Sequence, residues 1–420
     1  MNKKTLSIAG TIVNHDSSFT GTVIIDRDSG LISEIGGYSG TADIVPPNRC
    51  FILPGLIDVH VHGRQDATDE ESYKEDFISL GNAGVNGGVV FVCSMGNTPK
   101  PPVDDATYDE LAALAAASPI PVLLYAMIGP DTNPLFRSVP YKLCHARTTG
   151  KNDKIFFPTR LSIYKAAFRY RGHHVSNHCE NLEILKECGH EEAHEARRPA
   201  HAETTSIDDA LELIEYVFGF GKICHCSVPT GIEKIRAAKR RGVRVTCEVT
   251  PHHLYFDTSM ITPENRHWLQ MNPPLRSPED RLAMIEHLRL GDIDMLASDH
   301  APHTAEDKRK GASGQPHLDT FGPFTTWLIE KRYFAMSQIV RMASYNPAQF
   351  VNAFLPKEHI GLGYGRIGVG HVGSLTVIDM TTPVTVTKDM LKTKCGWSPF
   401  EGITFPGSVR HTIVRGHVLK

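Results

Sequence analysis

The chain lacks any apolar run long enough to cross a membrane; a spanning helix needs about 20 such residues. Its first ten residues, Met1 to Gly10, carry two lysines but too brief an apolar stretch for a secretory signal. It also lacks an excess of basic charge. Lys and Arg total 44 against 47 Asp and Glu, a formal charge of -3, and the densest basic clusters are the short Lys239-Arg240-Arg241 and Lys308-Arg309-Lys310. Such clusters read as solvated surface, which excludes a general nucleic-acid binder. No disulfide framework is visible. Nine cysteines is an odd number, and Cys224, Cys226 and Cys247 lie in apolar strand-like runs, so reduced core thiols are expected. There is no internal repeat and no low-complexity tract. The expectation is a cytoplasmic protein that acts on a small molecule, without nucleic acid or membrane as partner.

What is present is enough chain for more than one ordinary domain. At 420 residues, 41% hydrophobic and 22% charged, the sequence suits a large barrel-type domain with a smaller companion. Eight strand-like runs alternate with helical patterns: 56–60, 88–93, 122–127, 154–157, 174–178, 222–226, 243–249 and 294–298. Helices are expected over 72–83, 105–117, 161–171, 207–218, 231–241 and 278–290. Ser206-Ile207-Asp208-Asp209 and Ser277-Pro278-Glu279-Asp280 read as helix starts, with a capping hydroxyl and acids near the positive end. Eight strand–helix units predict a (β/α)8 TIM barrel, an α/β fold whose site gathers at the C-terminal strand ends. The flanks are rich in short β segments and glycine turns, and neither is large enough for its own core. They are expected to pair as one small β-sandwich domain from residues 1–52 and 362–420, with the barrel over 53–361.

His60-Val61-His62 closes the apolar run that begins at Phe51. Residues two apart on a strand share a face, so both imidazoles aim at one point, an arrangement that suits zinc. Further ionisable residues end other runs: His178 the fifth, His225 the sixth, Asp299 the eighth. Singly, each would more often be a polar side chain satisfied by hydrogen bonds. Four histidines and an aspartate at one rim are costly to bury without partners, whereas one or two divalent ions would satisfy them all.

These residues resemble the amidohydrolase superfamily. More narrowly, the stretches 54–64 (Pro-Gly-Leu-Ile-Asp-Val-His-Val-His-Gly-Arg), 95–99 (Met-Gly-Asn-Thr-Pro), 246–254 (Thr-Cys-Glu-Val-Thr-Pro-His-His-Leu), 272–276 (Asn-Pro-Pro-Leu-Arg), 297–304 (Ala-Ser-Asp-His-Ala-Pro-His-Thr) and 397–402 (Trp-Ser-Pro-Phe-Glu-Gly) are similar to dihydroorotase motifs in that family's order. The resemblance implies a binuclear zinc hydrolase in which His60, His62 and Asp299 bind one ion and His178 and His225 the other. It implies that Lys154, carboxylated by carbon dioxide, bridges the two Zn2+ ions; nearby Lys151 takes that place if the alignment slips. It also implies Asp299 as the catalytic proton shuttle, and Arg64, Asn97, Asn272 and His303 as substrate contacts. Arg64 shares the strand parity of His62, and its planar fork suits a carboxylate. His252 and His253 fit the strand-seven motif without a ligand role. Residues 304–320 read as a mobile active-site loop.

The implied reaction interconverts N-carbamoyl-L-aspartate and L-dihydroorotate in pyrimidine (UMP) biosynthesis. Alternatives with the same metals are dihydropyrimidinase, hydantoinase or allantoinase, and a further one is an inactive dihydroorotase-like scaffold. A homo-oligomer is expected, with aspartate transcarbamoylase as a candidate partner. Two departures from the family pattern touch the pocket: Gln65-Asp66-Ala67 follows Arg64 where an acid and Pro-Gly are usual, and Gly96 replaces a proline before Asn97.

Overall fold

A computed structural model describes residues 3–148 and 153–420. Parallel strands Leu56–Val61, Val89–Ser94 and Val122–Leu124 form one side of a barrel. Ala126–Met127, Tyr141–Cys144, His174–His178, Phe220–Ile223, Val245–Val249 and Met295–Leu296 form the other. The third barrel strand is interrupted at Tyr125: its first half pairs with strand two and its second with strand four. A parallel bridge between Val61 and His300, with His62 N donating to the His300 carbonyl at 2.8 Å, links the last strand back to the first. Leu56–Val61, Val89–Ser94 and His174–His178 are buried at every position. Burial on both faces is what turns the first two into near-continuous apolar runs.

The fourth strand corrects the sequence reading. Lys154–Phe157 is not a strand: Asp153–Ile155 is a single 3-10 turn, and Ile155 and Phe156 pack against Met127 and Cys144 without joining a ladder. The strand is Tyr141-Lys142-Leu143-Cys144, paired in register with Val175-Ser176-Asn177-His178. Its four residues follow Pro140 and hold a lysine, so no apolar run announces it.

Local chemistry sets the helix bounds. Ser277 caps Pro278–Leu290, accepting from Asp280 N at 3.1 Å, with Pro278 in the first turn as anticipated. The helix expected from Ser72 instead begins at Phe77, because Asp76 and Ser79 form a reciprocal capping box. Ser206-Ile207-Asp208-Asp209 is not a helix start; it lies inside Ala200–Leu213, which Pro199 precedes.

The two termini combine into one seven-stranded sheet, in the order His417–Val418, Ser408–Val414, Leu375–Asp379, Cys50–Pro54, Thr5–Val13, Ser18–Asp26, Leu31–Gly36. The seam is antiparallel pairing of Leu375–Asp379 with Cys50–Pro54. Ile8, Ile12, Val23, Ile25 and Ile52 from the N-terminal part share a core with Leu375, Val377 and Ile413 from the C-terminal part. Gly55 joins this sheet to the barrel, where a Cβ would lie 2.3 Å from Val90. No described helix is long and apolar enough to cross a membrane.

Candidate metal centre

Because the barrel strands are parallel, their C-terminal ends share one rim. His60 and His62 stand at the end of strand one with ring centroids 5.5 Å apart. Asp299, just past strand eight, places Oδ1 at 3.2 Å from His60 Nε2 and 3.1 Å from His62 Nε2. His178 from strand five puts Nδ1 at 2.9 Å from His225 Nε2, and the His225 ring lies 5.1 Å from that of His60. All five predicted non-lysine ligands therefore line one cavity.

Lys154 is not among them. It is exposed on the 3-10 turn, near the Asp104 carboxylate, while Lys151 lies outside the described residues. The lysine that lines the cavity is Lys142: its side chain is buried, and its ammonium donates to Cys224 Sγ at 3.0 Å. No carboxylate pairs with it among the described residues. A short strand with a central lysine looks like a surface segment until both its faces are known to be covered.

The donor set fits a divalent cation of the zinc type. Burial holds His60, His62 and His225 well below the usual histidine range and lowers His178, so all four are neutral at pH 7, the form that can donate to a cation. Burial also raises Asp299 to about 7. Of the four histidines, His225 has its Nδ1 buried without a partner. Two ligands are oriented from behind. His60 Nδ1 donates to Glu248, which also accepts from His225 N at 3.2 Å and is paired with the fully buried Lys222. His60 Nε2 is thereby left free for a cation. His178 Nε2 donates to Glu180 at 2.8 Å, and Arg198 pairs with that carboxylate. Such outer partners fix tautomer and ring orientation. Lys142, Glu180, Lys222 and Glu248 all escaped the sequence reading. The one available signal was Glu180, two residues after His178.

Arg64, His225 and Asp299 have φ of 57°, 33° and 47°, a left-handed region costly for residues with a Cβ. Strain therefore gathers at this rim. Arg64 is 3% exposed; its guanidinium donates to the Pro302 carbonyl at 3.1 Å and lies 3.1 Å from His303 Nε2. Among the described residues it has no carboxylate partner. Asn97 and Asn272 line the same cavity, each with a buried, unpartnered Oδ1. His303 stands behind Arg64, and Trp397 donates to its carbonyl at 2.7 Å. His252 contacts His317 at 2.8 Å and His253 the Pro273 carbonyl at 3.1 Å; neither lines the cavity. The two departures are accommodated locally. Asp66 accepts from Lys100 N and from Thr68, and a Cβ at Gly96 would come within 2.8 Å of the Tyr125 carbonyl.

A parallel eight-stranded barrel with a histidine–aspartate cluster at its C-terminal rim is the frame of a barrel hydrolase. The chain belongs to the amidohydrolase family, whose model matches residues 51–419. It is 30% identical over 433 aligned residues to a dihydroorotase of Trichlorobacter lovleyi, covering 98% of this chain and 97% of that one. It is 32% identical to a dihydroorotase of Pyrococcus furiosus, over 94% of this chain and 88% of the relative. Among solved structures it resembles an L-hydantoinase (dihydropyrimidinase) from Arthrobacter aurescens, with a TM-score of 0.86 at 22% identity over 99% and 95% of the two chains. A D-hydantoinase matches with a TM-score of 0.82 at 20% identity, over 99% and 95%. At such identities the structural likeness speaks for the fold alone.

Proposed function

We propose that this chain is a dihydroorotase, interconverting N-carbamoyl-L-aspartate and L-dihydroorotate in pyrimidine biosynthesis. The dihydroorotase names of relatives at about 30% identity support the reading. The observation that carries it is Arg64, a buried guanidinium at the cavity wall with no carboxylate at ion-pair distance among the described residues. A buried unpaired charge is expensive, and an anionic ligand compensates it. Dihydroorotate has a carboxylate to offer; hydantoin and dihydrouracil do not.

In this reading His60, His62 and Asp299 would hold one zinc ion and His178 and His225 a second, and Lys142, in place of Lys154, would be the lysine that carboxylation turns into an anionic ligand. When bound, such ions acidify a water and draw charge from a carbonyl oxygen. Asp299 accepts the proton of the attacking water and passes it to the ring nitrogen as the cyclic amide opens. Arg64 and Asn97 hold the substrate carboxylate, and Asn272 offers a polar contact to the ring. His303 steadies the Arg64 fork. In the reverse direction the same groups close the ring and release water.

The test is a set of initial rates on dihydroorotate, dihydrouracil, hydantoin and allantoin with protein replete in divalent metal. Dihydroorotate should be turned over fastest by a wide margin. A faster neutral ring would move the assignment to a hydantoinase-type enzyme, and no turnover of any of the four would leave a scaffold.

A further inference from the structure

Lys308 belongs to a five-residue helix, Ala305–Arg309, whose neighbouring residues Glu306, Arg309, Lys310 and Gly311 are exposed. Lys308 alone turns inward, to 0% exposure. Its ammonium donates to three backbone carbonyls: Gln270 at 2.8 Å, Ala312 at 2.9 Å and Gly314 at 2.8 Å. No carboxylate pairs with it among the described residues, and burial lowers its pKa to about 7. Holding an ammonium this way is costly, so it is informative where the three carbonyls come from. Gln270 precedes Asn272, on one wall of the catalytic cavity, while Ser313 and Gly314 line another. The side chain of Gln270 reinforces the seam by donating to the Gly311 carbonyl at 2.6 Å and to Ser313 Oγ at 3.1 Å. Gly314 in turn lies against Ala301 and His303, where a Cβ would meet the Ala301 carbonyl at 2.6 Å. The Lys308 ammonium also sits 5.8 Å from the Trp397 ring, which bonds the His303 carbonyl.

We propose that Lys308 is a positioning residue: it clasps the 304–314 segment to the 270–272 segment, fixes two walls of the substrate cavity, and so sets substrate affinity without touching the reacting atoms. The clasp is a property of the substrate-free chain, whereas its effect on affinity for dihydroorotate rests on the function proposed above.

The test is Lys308→Met, which keeps the apolar stem and removes the three donors. By hydrogen-exchange mass spectrometry on substrate-free protein, residues 304–314 and 270–272 should exchange at least ~10-fold faster while the barrel strands stay unchanged. KM for dihydroorotate should rise about tenfold with kcat within about threefold, and divalent metal content should hold. Gln270→Ala, which removes only the side-chain half of the seam, should show the same localised loosening more weakly. It serves as the second variant should Lys308→Met fail to fold. Unchanged exchange at 304–314 would overturn the proposal, and so would faster exchange spread over the whole barrel or a loss confined to kcat. Because exchange is read without substrate, an absent clasp is distinguishable from a wrong reaction, which the wild-type rates already report.

Discussion

Arg64→Met separates recognition from catalysis. The guanidinium is buried, has no carboxylate at ion-pair distance among the described residues, and lines the same cavity as Asn97. If it holds the substrate carboxylate through two charge-assisted bonds of about 1.5–3 kcal/mol each, their loss amounts to ~3–6 kcal/mol, or ~10²- to 10⁴-fold in kcat/KM for dihydroorotate. Methionine retains most of the stem volume and supplies no donor. The native bonds to Pro302 and His303 also vanish, at a cost of about 1–3 kcal/mol of stability; that is read separately from the thermal midpoint. Metal content should not change, because the guanidinium contributes no ligand atom. The assay compares kcat/KM for dihydroorotate with that for dihydrouracil, whose ring has no carboxylate. A selective loss on dihydroorotate supports anion recognition. Equal losses on both substrates would refute it and leave Arg64 as a structural tie to the 302–303 segment.

Lys142→Ala should strip divalent metal and reduce turnover by at least ~10²-fold, whereas Lys154→Ala should leave both near wild type; elemental analysis with steady-state rates decides, and the reverse pattern would restore Lys154. Asp299→Ala should lower kcat by ~10²–10⁴-fold, the scale of a lost general acid–base group, and near-normal turnover would exclude the shuttle role. Purified protein should hold close to two divalent ions per chain and lose activity on chelation, and full activity in rigorously metal-free protein would sink the mechanism. Burial alone would raise the Asp379 carboxyl, but hydrogen bonds from Thr381 and Thr382 and the Arg410 charge pull it to about 2. Its stabilisation is therefore fully present above its ordinary pKa near 4 and fades as pH falls towards 2. Asp379→Ala should cost about 1–2 kcal/mol in urea unfolding at pH 7 and much less near pH 2; a pH-independent cost would contradict this.

The barrel and five of its rim side chains were legible because barrel strands buried on both faces leave apolar runs, and these candidate ligands stand where those runs end. His60, His178, His225 and Asp299 each follow that grammar. Lys142 does not. Its strand is four residues long, starts after a proline and has its cavity-lining lysine in the middle, so the lysine ahead of Ile155-Phe156-Phe157 is the better strand residue by pattern. The apolar character of 155–157 was read correctly as burial and wrongly as a ladder. Helix starts show the same limit. Ser277 has its capping partner within three residues, but the acids after Ser206 lie inside a helix whose start Pro199 had already set.

The buried cations around the rim show why such a site resists reading from sequence. Lys222, Lys142 and Arg64 are all nearly inaccessible; composition alone would assign the two lysines to the surface, whereas Arg64 is placed at the site by its strand parity with His62. Lys222 is matched by Glu248 beneath His60, so its charge is satisfied within the fold and its role is to hold that carboxylate for the histidine. Lys142 and Arg64 have no such match among the described residues. An uncompensated buried charge persists only where something outside the chain's own side chains balances it. In the proposed function, conversion to a carbamate would supply that balance for Lys142, and the carboxylate of the substrate would supply it for Arg64. Lys142 and Arg64 thus differ both from Lys222, which a carboxylate matches, and from Lys308, which three backbone carbonyls hold, and in the proposed function they are where negative charge would arrive.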